Sequence, residues 1–100
     1  MAHVPVNNEW VARYERSHQH PVNRVCHTVG IPMIVFALLL GAVSVGFENL
    51  RLPALILFAG GWVLQFVGHA FEGKRPEFFN DWRFLFVGLR WWLMKISGRV

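Results

Sequence analysis

The chain is 100 residues long, and 54% of its residues are hydrophobic whereas only 16% are charged. This length fits one domain, and the composition excludes a disordered protein and disfavours an ordinary soluble one. The net charge is +4, but the basic residues flank apolar segments and form no stripe, so we exclude a nucleic-acid-binding protein.

The first predicted element is a helix over residues 8–18. Trp10, Val11 and Tyr14 fall on one side of it, a pattern typical of a helix that lies at a membrane surface. We therefore expect an interfacial helix.

The second predicted helix covers residues 21–47 and leads into a first membrane span. Pro21 suits its first turn, and the residues from 25 to 47 include no Asp, Glu, Lys or Arg. Gly30 and Pro32 interrupt the pattern, so we expect the helix to kink or break there.

A second span over residues 52–72 follows after a short polar turn. So brief a link predicts an antiparallel transmembrane hairpin. The small residues expected to let the two helices approach closely are Ala37, Gly41, Ser44, Gly60, Gly61 and Gly68.

The last predicted element is an amphipathic helix over residues 80–96, interfacial or re-entrant, with a short tilted third span as the alternative. Trp91 and Trp92 are expected to anchor it at the membrane interface. Its apolar stripe consists of Trp82, Leu85, Phe86, Leu89, Trp92, Leu93 and Ile96.

The predicted fold class is therefore an all-α membrane protein, a single domain over residues 1–100 with interfacial helices before and after the hairpin. Basic residues precede and follow the hairpin, whereas its turn contains Arg51 alone. The positive-inside rule then places both termini in the cytoplasm, in the inner membrane of a bacterium or the endoplasmic reticulum of a eukaryote.

Two histidines have matched positions in this hairpin. His27 lies about 22 residues before the centre of the turn and His69 about 20 residues after it, so both lie at nearly the same depth. Gln65 and Glu72 share one helix face with His69. If Pro21 begins a continuous helix, His20 and Asn23 share a face with His27. Polar side chains facing hydrocarbon are costly, so we expect these two faces to meet.

Imidazole and carboxylate ligands with open positions suit non-haem iron(II), and zinc or manganese less well. Geometry alone does not choose between His18 and His20 as a further ligand. Glu72 is a candidate ligand or a surface partner of Lys74 or Arg75. Asn23 and Gln65 are expected to orient a histidine.

The polar residues also form a motif in two parts. In the first, His18 follows Tyr14 after three residues, His27 follows Asn23 after three residues, and Gly30 follows after two more, with Pro32 beyond it. In the second, Gly68 and His69 follow Gln65 after two residues, and Glu72 follows after two more, with Pro76 beyond it. This double motif resembles the Mpo family of small membrane proteins, and the likeness extends from about Tyr14 to Arg99.

The resemblance implies an iron(II)-dependent dioxygenase that uses O2 to remove one carbon from a 2-hydroxy fatty acid. Carried over by position, the metal ligands and catalytic residues are His18, His27 and His69, with Glu72 as a candidate fourth. Tyr14, His20, Asn23 and Gln65 would surround them, His20 at a variable position.

The chemistry of a 2-hydroxy acid agrees with this site, because its hydroxyl and carboxylate can chelate iron. Arg24, Lys74 and Arg75 are candidates for attracting the carboxylate, with membrane lipid phosphates as the alternative partner. Two spans cannot easily enclose both metal and substrate, so we expect a homodimer. A haem-binding electron-transfer module and a non-enzymatic membrane scaffold are the alternative functions.

Overall fold

The protein is described from a computed structural model that covers residues 5–98, with side chains from residue 9 onward. Within these residues it forms four α-helices and no strand, which confirms the all-α class. The helices are α1 (Pro5–Arg16), α2 (Pro21–Val43), α3 (Arg51–Glu72) and α4 (Phe84–Ile96). The predicted orientation in the membrane concerns the two termini. Both termini, residues 1–4 and 99–100, lie outside the described residues.

The chain between α2 and α3 is short. It includes a 3-10 turn over Glu48–Leu50. The α2 helix ends at Val43, earlier than predicted, and the side chain of Arg51 caps this end by donating to the carbonyls of Ser44 at 3.1 Å and Val45 at 3.4 Å. The α3 helix ends at Glu72, and Gly73 follows in the left-handed conformation with its N–H bonded to the carbonyl of His69.

The α2 helix continues through Pro32, so of the kink or break expected at Gly30 and Pro32 the break is wrong. Proline lacks the N–H that would bond the carbonyl four residues earlier, which here belongs to Thr28. The indole Nε1 of Trp92 donates to this carbonyl at 2.8 Å. A side chain of α4 thus supplies the hydrogen bond that Pro32 removes.

The α2 and α3 helices pack against each other with the start of one beside the end of the other. A Cβ at Gly68 would collide with Asn23, and a Cβ at Gly61 would lie 2.6 Å from Cγ1 of Ile34. These glycines let the backbones approach closely, as predicted. Gly41 does not contribute, because a Cβ there would meet nothing within 4 Å.

Most residues of the apolar stripe predicted for α4 are exposed, and the opposite side of the helix is packed. Leu85, Phe86 and Leu93 are exposed, whereas Trp91 is 0% exposed. Gly88 makes this packing possible, because a Cβ there would lie 2.9 Å from Oη of Tyr14 on α1. Trp91 is therefore a core residue, and its expected role as an interface anchor is wrong.

The core between α1 and α4 consists of Val11, Tyr14, Phe84 and Trp91. A 3-10 turn over Glu77–Phe79 leads into α4, which begins at Phe84, later than predicted. Two stretches of the described chain are long and apolar enough to cross a membrane, Pro21–Val43 and Glu48–Glu72.

Candidate metal centre

Three histidines from three parts of the chain meet at one point. His18 lies in the link between α1 and α2, His27 in the second turn of α2 and His69 in the last turn of α3. One ring nitrogen of each lies within 4.8 Å of the other two, and the residues are only 1%, 3% and 5% exposed. The ring centroids of His27 and His69 are 4.8 Å apart, which confirms their predicted matched depth.

His18 is held by the last turn of α1. Its Nδ1 lies 2.6 Å from the backbone carbonyl of Tyr14 and 2.9 Å from Oγ of Ser17. The ring also stacks on that of Tyr14, with centroids 3.9 Å apart. Because a carbonyl oxygen only accepts, Nδ1 of His18 carries the hydrogen and Nε2 keeps a free lone pair.

His27 is oriented in the same way by its own helix. Its Nδ1 donates to the carbonyl of Asn23 at 3.0 Å, so its Nε2 is also without a hydrogen. The two Nε2 atoms of His18 and His27 lie 3.1 Å apart. Burial lowers the pKa of His18 to about 3, so its imidazole stays neutral at physiological pH.

Two lone pairs at this separation repel each other unless a cation lies between them. Neutral imidazoles whose other nitrogen is hydrogen-bonded to a carbonyl are typical metal ligands. Since imidazole–metal bonds are about 2.0 Å long, nitrogens 3.1 Å apart can bind one ion. With His69 as a third donor, the residues fit a transition metal such as iron or zinc.

Glu72 joins the end of α3 to the start of α2. Its Oε1 accepts from the backbone N–H of His20 at 2.7 Å and from Nδ2 of Asn23 at 3.2 Å. His20 also caps α2, because its Nδ1 accepts from the backbone N–H of Val22 at 3.1 Å. The structure thus places His20 and Glu72 beside the histidine cluster and gives both a role in fixing the link that carries His18.

The cations expected to attract a substrate carboxylate lie elsewhere. Nη1 of Arg24 lies 2.5 Å from Oε1 of Glu15 and donates to the carbonyl of His18 at 3.1 Å. Nζ of Lys74 donates to a backbone carbonyl at the end of α1 at 3.3 Å, and Arg75 is exposed. The described wall of the cavity includes none of Arg24, Lys74 and Arg75.

A cavity of about 290 Å³ opens beside the histidines. It follows α2 from His27 to Leu38, a rise of about 16 Å at 1.5 Å per residue. Its wall is mainly apolar and includes Ile31, Ile34, Val35, Trp62, Phe78, Phe84, Leu85, Phe86 and Leu89. One end of the cavity is therefore polar and the rest suits a hydrocarbon chain.

Two residues near the site were not predicted from the sequence. The carboxylate of Glu15 accepts from Nε1 of Trp91 as well as from Arg24, so it links α4 to the residues that hold His18. Glu77 lines the cavity and lies 3.2 Å from Nη2 of Arg13. Nothing in their spacing distinguishes them from ordinary surface carboxylates, because only tertiary packing brings them to the site.

A sequence model of the family described as 2-hydroxy-palmitic acid dioxygenase Mpo1-like matches residues 6–100. The chain belongs to this family. The match covers α1 to α4 and all three histidines of the cluster. Neither a curated protein nor a solved structure is detectably similar to this Mpo1-like chain. The family name indicates a dioxygenase of 2-hydroxy fatty acids.

Proposed function

We propose that this Mpo1-like protein is a membrane-embedded, iron(II)-dependent dioxygenase that removes one carbon from 2-hydroxy fatty acids. The observation that carries the proposal is the pair of hydrogen-free Nε2 atoms of His18 and His27, 3.1 Å apart and beside His69, at the polar end of an apolar cavity. Such a site offers metal ligands at one end and room for an acyl chain at the other.

Residence in a membrane is supported by the exposed surface of α2 and α3. In an 18-residue apolar segment of each helix, only 22% (α2) and 17% (α3) is buried inside the protein, whereas a core helix of a soluble domain is mostly buried. We propose that the two helices form a transmembrane hairpin, with α1 and α4 at the interface and both termini in the cytoplasm. The exposed Leu93 and Ile96 of α4, which lie outside the cavity wall, would then contact lipid.

The protein's own residues would bind, orient and shield the reactants. His18, His27 and His69 would hold the metal, and the carbonyls of Tyr14 and Asn23 would keep two of these rings in the ligating tautomer. When bound, iron(II) would supply redox chemistry for O2 and a positive charge for the substrate's hydroxyl and carboxylate oxygens. The apolar wall would hold the acyl tail and exclude water.

The alternative functions, which are haem binding, a scaffold and hydrolysis, would use the same histidines in different ways. The haem alternative would place His27 and His69 on opposite faces of a haem, with nitrogens about 4 Å apart. It would leave no role for His18, whose Nε2 lies 3.1 Å from that of His27. A scaffold would need neither a metal nor the cavity. Hydrolysis by a metal-bound water would need the metal but no O2.

A homodimer stays a prediction. The described residues of one chain provide the three histidines and line the cavity, so a second copy is not needed to supply these side chains. Crosslinking in native membranes tests the dimer, and monomers alone would contradict it.

The deciding experiment compares wild-type protein with His27→Ala and with His20→Asn, all purified without oxygen in mild detergent. His20→Asn is the matched control, since it removes an imidazole outside the cluster and keeps a residue that can cap α2. We expect near-stoichiometric iron and O2-dependent turnover of 2-hydroxy-palmitic acid in the wild type and the control, and loss of both in His27→Ala.

Full activity in His27→Ala would overturn the proposal. Wild-type protein that holds no transition metal, even after reconstitution with Fe(II), would favour the scaffold. A Soret absorption band would favour haem, and metal-dependent but O2-independent turnover would favour hydrolysis.

A further inference from the structure

The cavity beside the histidines has a polar end that is closed. Tyr14, His18, His27 and His69 are at most 5% exposed, although all four line the cavity. Gln65, predicted to orient a histidine, is also buried there, and its Nε2 donates to none of the three. Lining the cavity therefore exposes a side chain very little.

At the other end of the cavity, residues of the wall are also exposed on the outer surface. Leu38 of α2 is 59% exposed and Phe86 of α4 is 65% exposed, and both line the cavity. Val35, about one turn before Leu38, and Leu85, next to Phe86, share both properties. Since the cavity alone exposes a side chain very little, these four residues also face outward. They border an opening between α2 and α4, which we call the lateral opening.

The lateral opening lies at the depth of the hydrocarbon core if α2 spans a membrane. Val35 and Leu38 are near the middle of the stretch of residues 25–47, which has no Asp, Glu, Lys or Arg, whereas His27 is near its start. The rise of about 16 Å from His27 to Leu38 is about half the thickness of a hydrocarbon core, which is about 30 Å. The cavity thus runs from one interface to about the midplane, as the tail of a lipid in that leaflet does.

The volume of the cavity is too small for the whole of a long tail. A water-sized group occupies about 30 Å³ of liquid, so a cavity of about 290 Å³ holds about ten such groups. A methylene group is of similar size, so a tail of more than about ten carbons would have to project from the cavity. At the lateral opening the projecting carbons would meet lipid tails, which spare them the cost of exposure to water.

We infer that the lateral opening holds the outer part of the tail of a bound single-chain lipid and lets the end of that tail project into the bilayer. The site then sets a position for the head group but no upper limit on the length of the tail. This inference rests on the membrane residence of α2 and α3 in the proposed function, but it concerns binding and does not require turnover.

The experiment locates a bound tail by photolabelling of the protein as purified, in lipid nanodiscs and without oxygen. The probe is palmitic acid with a photoreactive diazirine in the outer half of its tail, and mass spectrometry identifies the labelled residues. Excess unlabelled palmitic acid should remove the label from Leu38 and Phe86. Label on Leu39 should not change, because this leucine is 62% exposed but lies outside the cavity wall and meets only bulk lipid.

A series of unlabelled competitors tests the dependence on tail length. Palmitic, stearic, behenic and lignoceric acid, at equal mole fraction in the lipid, should compete within about twofold of one another, because the added carbons lie in the bilayer before and after binding. A steady fall in competition with each longer acid would show that the cavity is closed at this end and would overturn the inference. Absence of competed label at Leu38 and Phe86, as when a second copy of the chain covers the opening, would overturn it as well.

A matched pair of variants tests the opening itself. Leu38→Trp places a larger side chain in the lateral opening, and Leu39→Trp places the same side chain on the surface beside it. Competed label on Phe86 should fall at least about fivefold in Leu38→Trp, the smallest loss typical of a larger side chain forced into an apolar site, and less than about twofold in Leu39→Trp. Equal label on Phe86 in the two variants would contradict the inference. The competitor series needs only wild-type protein, so it decides the case if Leu38→Trp does not fold.

Failure of this inference is distinguishable from failure of the proposed function. Wild-type protein with no iron and no turnover, but with competed label at Leu38 that does not depend on tail length, would remove the proposed reaction and leave this inference standing. Normal turnover together with label that palmitic acid does not compete would do the reverse.

Discussion

The Nε2 atoms of His18 and His27 lie 3.1 Å apart, although each ring donates its Nδ1 hydrogen to a backbone carbonyl. The contact cannot be an ordinary hydrogen bond, because neither Nε2 carries a hydrogen in this arrangement. The two carbonyls belong to the end of α1 and to the first turn of α2, so the folding of these two helices determines the tautomers. These backbone carbonyls therefore keep both Nε2 lone pairs available to bind a cation.

Metal binding should stabilise the protein through this pair. A metal that binds the folded state at a concentration about 100 times its Kd raises the free energy of unfolding by about 2.7 kcal/mol. Adding Fe(II) to metal-free wild-type protein should therefore raise its Tm, and a chelator should reverse the rise. The His18→Ala variant should show no shift, whereas His20→Asn should behave like the wild type. An equal shift in His18→Ala would mean that the metal binds elsewhere.

Glu72 should be dispensable for metal binding. Its Oε1 accepts two hydrogen bonds, from the backbone of His20 and from Asn23, and a glutamine oxygen can accept both. Glu72→Gln should retain the full metal content measured by elemental analysis. Glu72→Ala leaves those two donors without this partner and should lower the free energy of unfolding by about 1–3 kcal/mol. Loss of metal in Glu72→Gln would instead make Glu72 a fourth ligand.

The sequence predicts the parts of this site that depend on distance along a helix. The matched positions of His27 and His69 follow from counting residues on either side of the turn, and the approximate extent of α3 follows from its apolar run. The motif, through the family, indicates His18, but periodicity does not, because His18 lies in a link whose direction the hydrophobic pattern leaves open. Only the contacts to Tyr14 and Ser17 turn its ring toward His27.

The packing of α4 illustrates what the sequence could not predict. Hydrophobic periodicity identifies an apolar stripe but not what it faces, and in a membrane protein lipid competes with the protein core for that stripe. Here Gly88 and Trp91 determine which side of α4 packs against α1. Tyr14 fits over the glycine, and the carboxylate of Glu15 accepts a hydrogen bond from the indole N–H of Trp91. Both reasons are tertiary contacts between α1 and α4.

Close packing of α2 and α3 should depend on Gly61. A Cβ there would lie 2.6 Å from Cγ1 of Ile34 and 3.0 Å from the carbonyl of Gly30, and a backbone atom cannot move aside cheaply. Gly61→Ala should separate the helices and cost about 1–3 kcal/mol of stability, measured by denaturation in mixed micelles. Gly41→Ala is the matched control in the same pair of helices, since its Cβ would meet nothing within 4 Å. Equal stability of the two variants would contradict this account.

The hydrogen bond from Trp92 to the carbonyl of Thr28 should matter because of Pro32. In Trp92→Phe the carbonyl loses its indole donor and Pro32 cannot replace it, so the free energy of unfolding should fall by about 1–3 kcal/mol. In a Pro32→Ala background the new N–H can bond Thr28, and the same Trp92→Phe change should then cost less. A double-mutant cycle of unfolding free energies measures this difference, and the expected coupling is about 0.5–1.5 kcal/mol. Strict additivity would show that the continuity of α2 through Pro32 does not depend on Trp92.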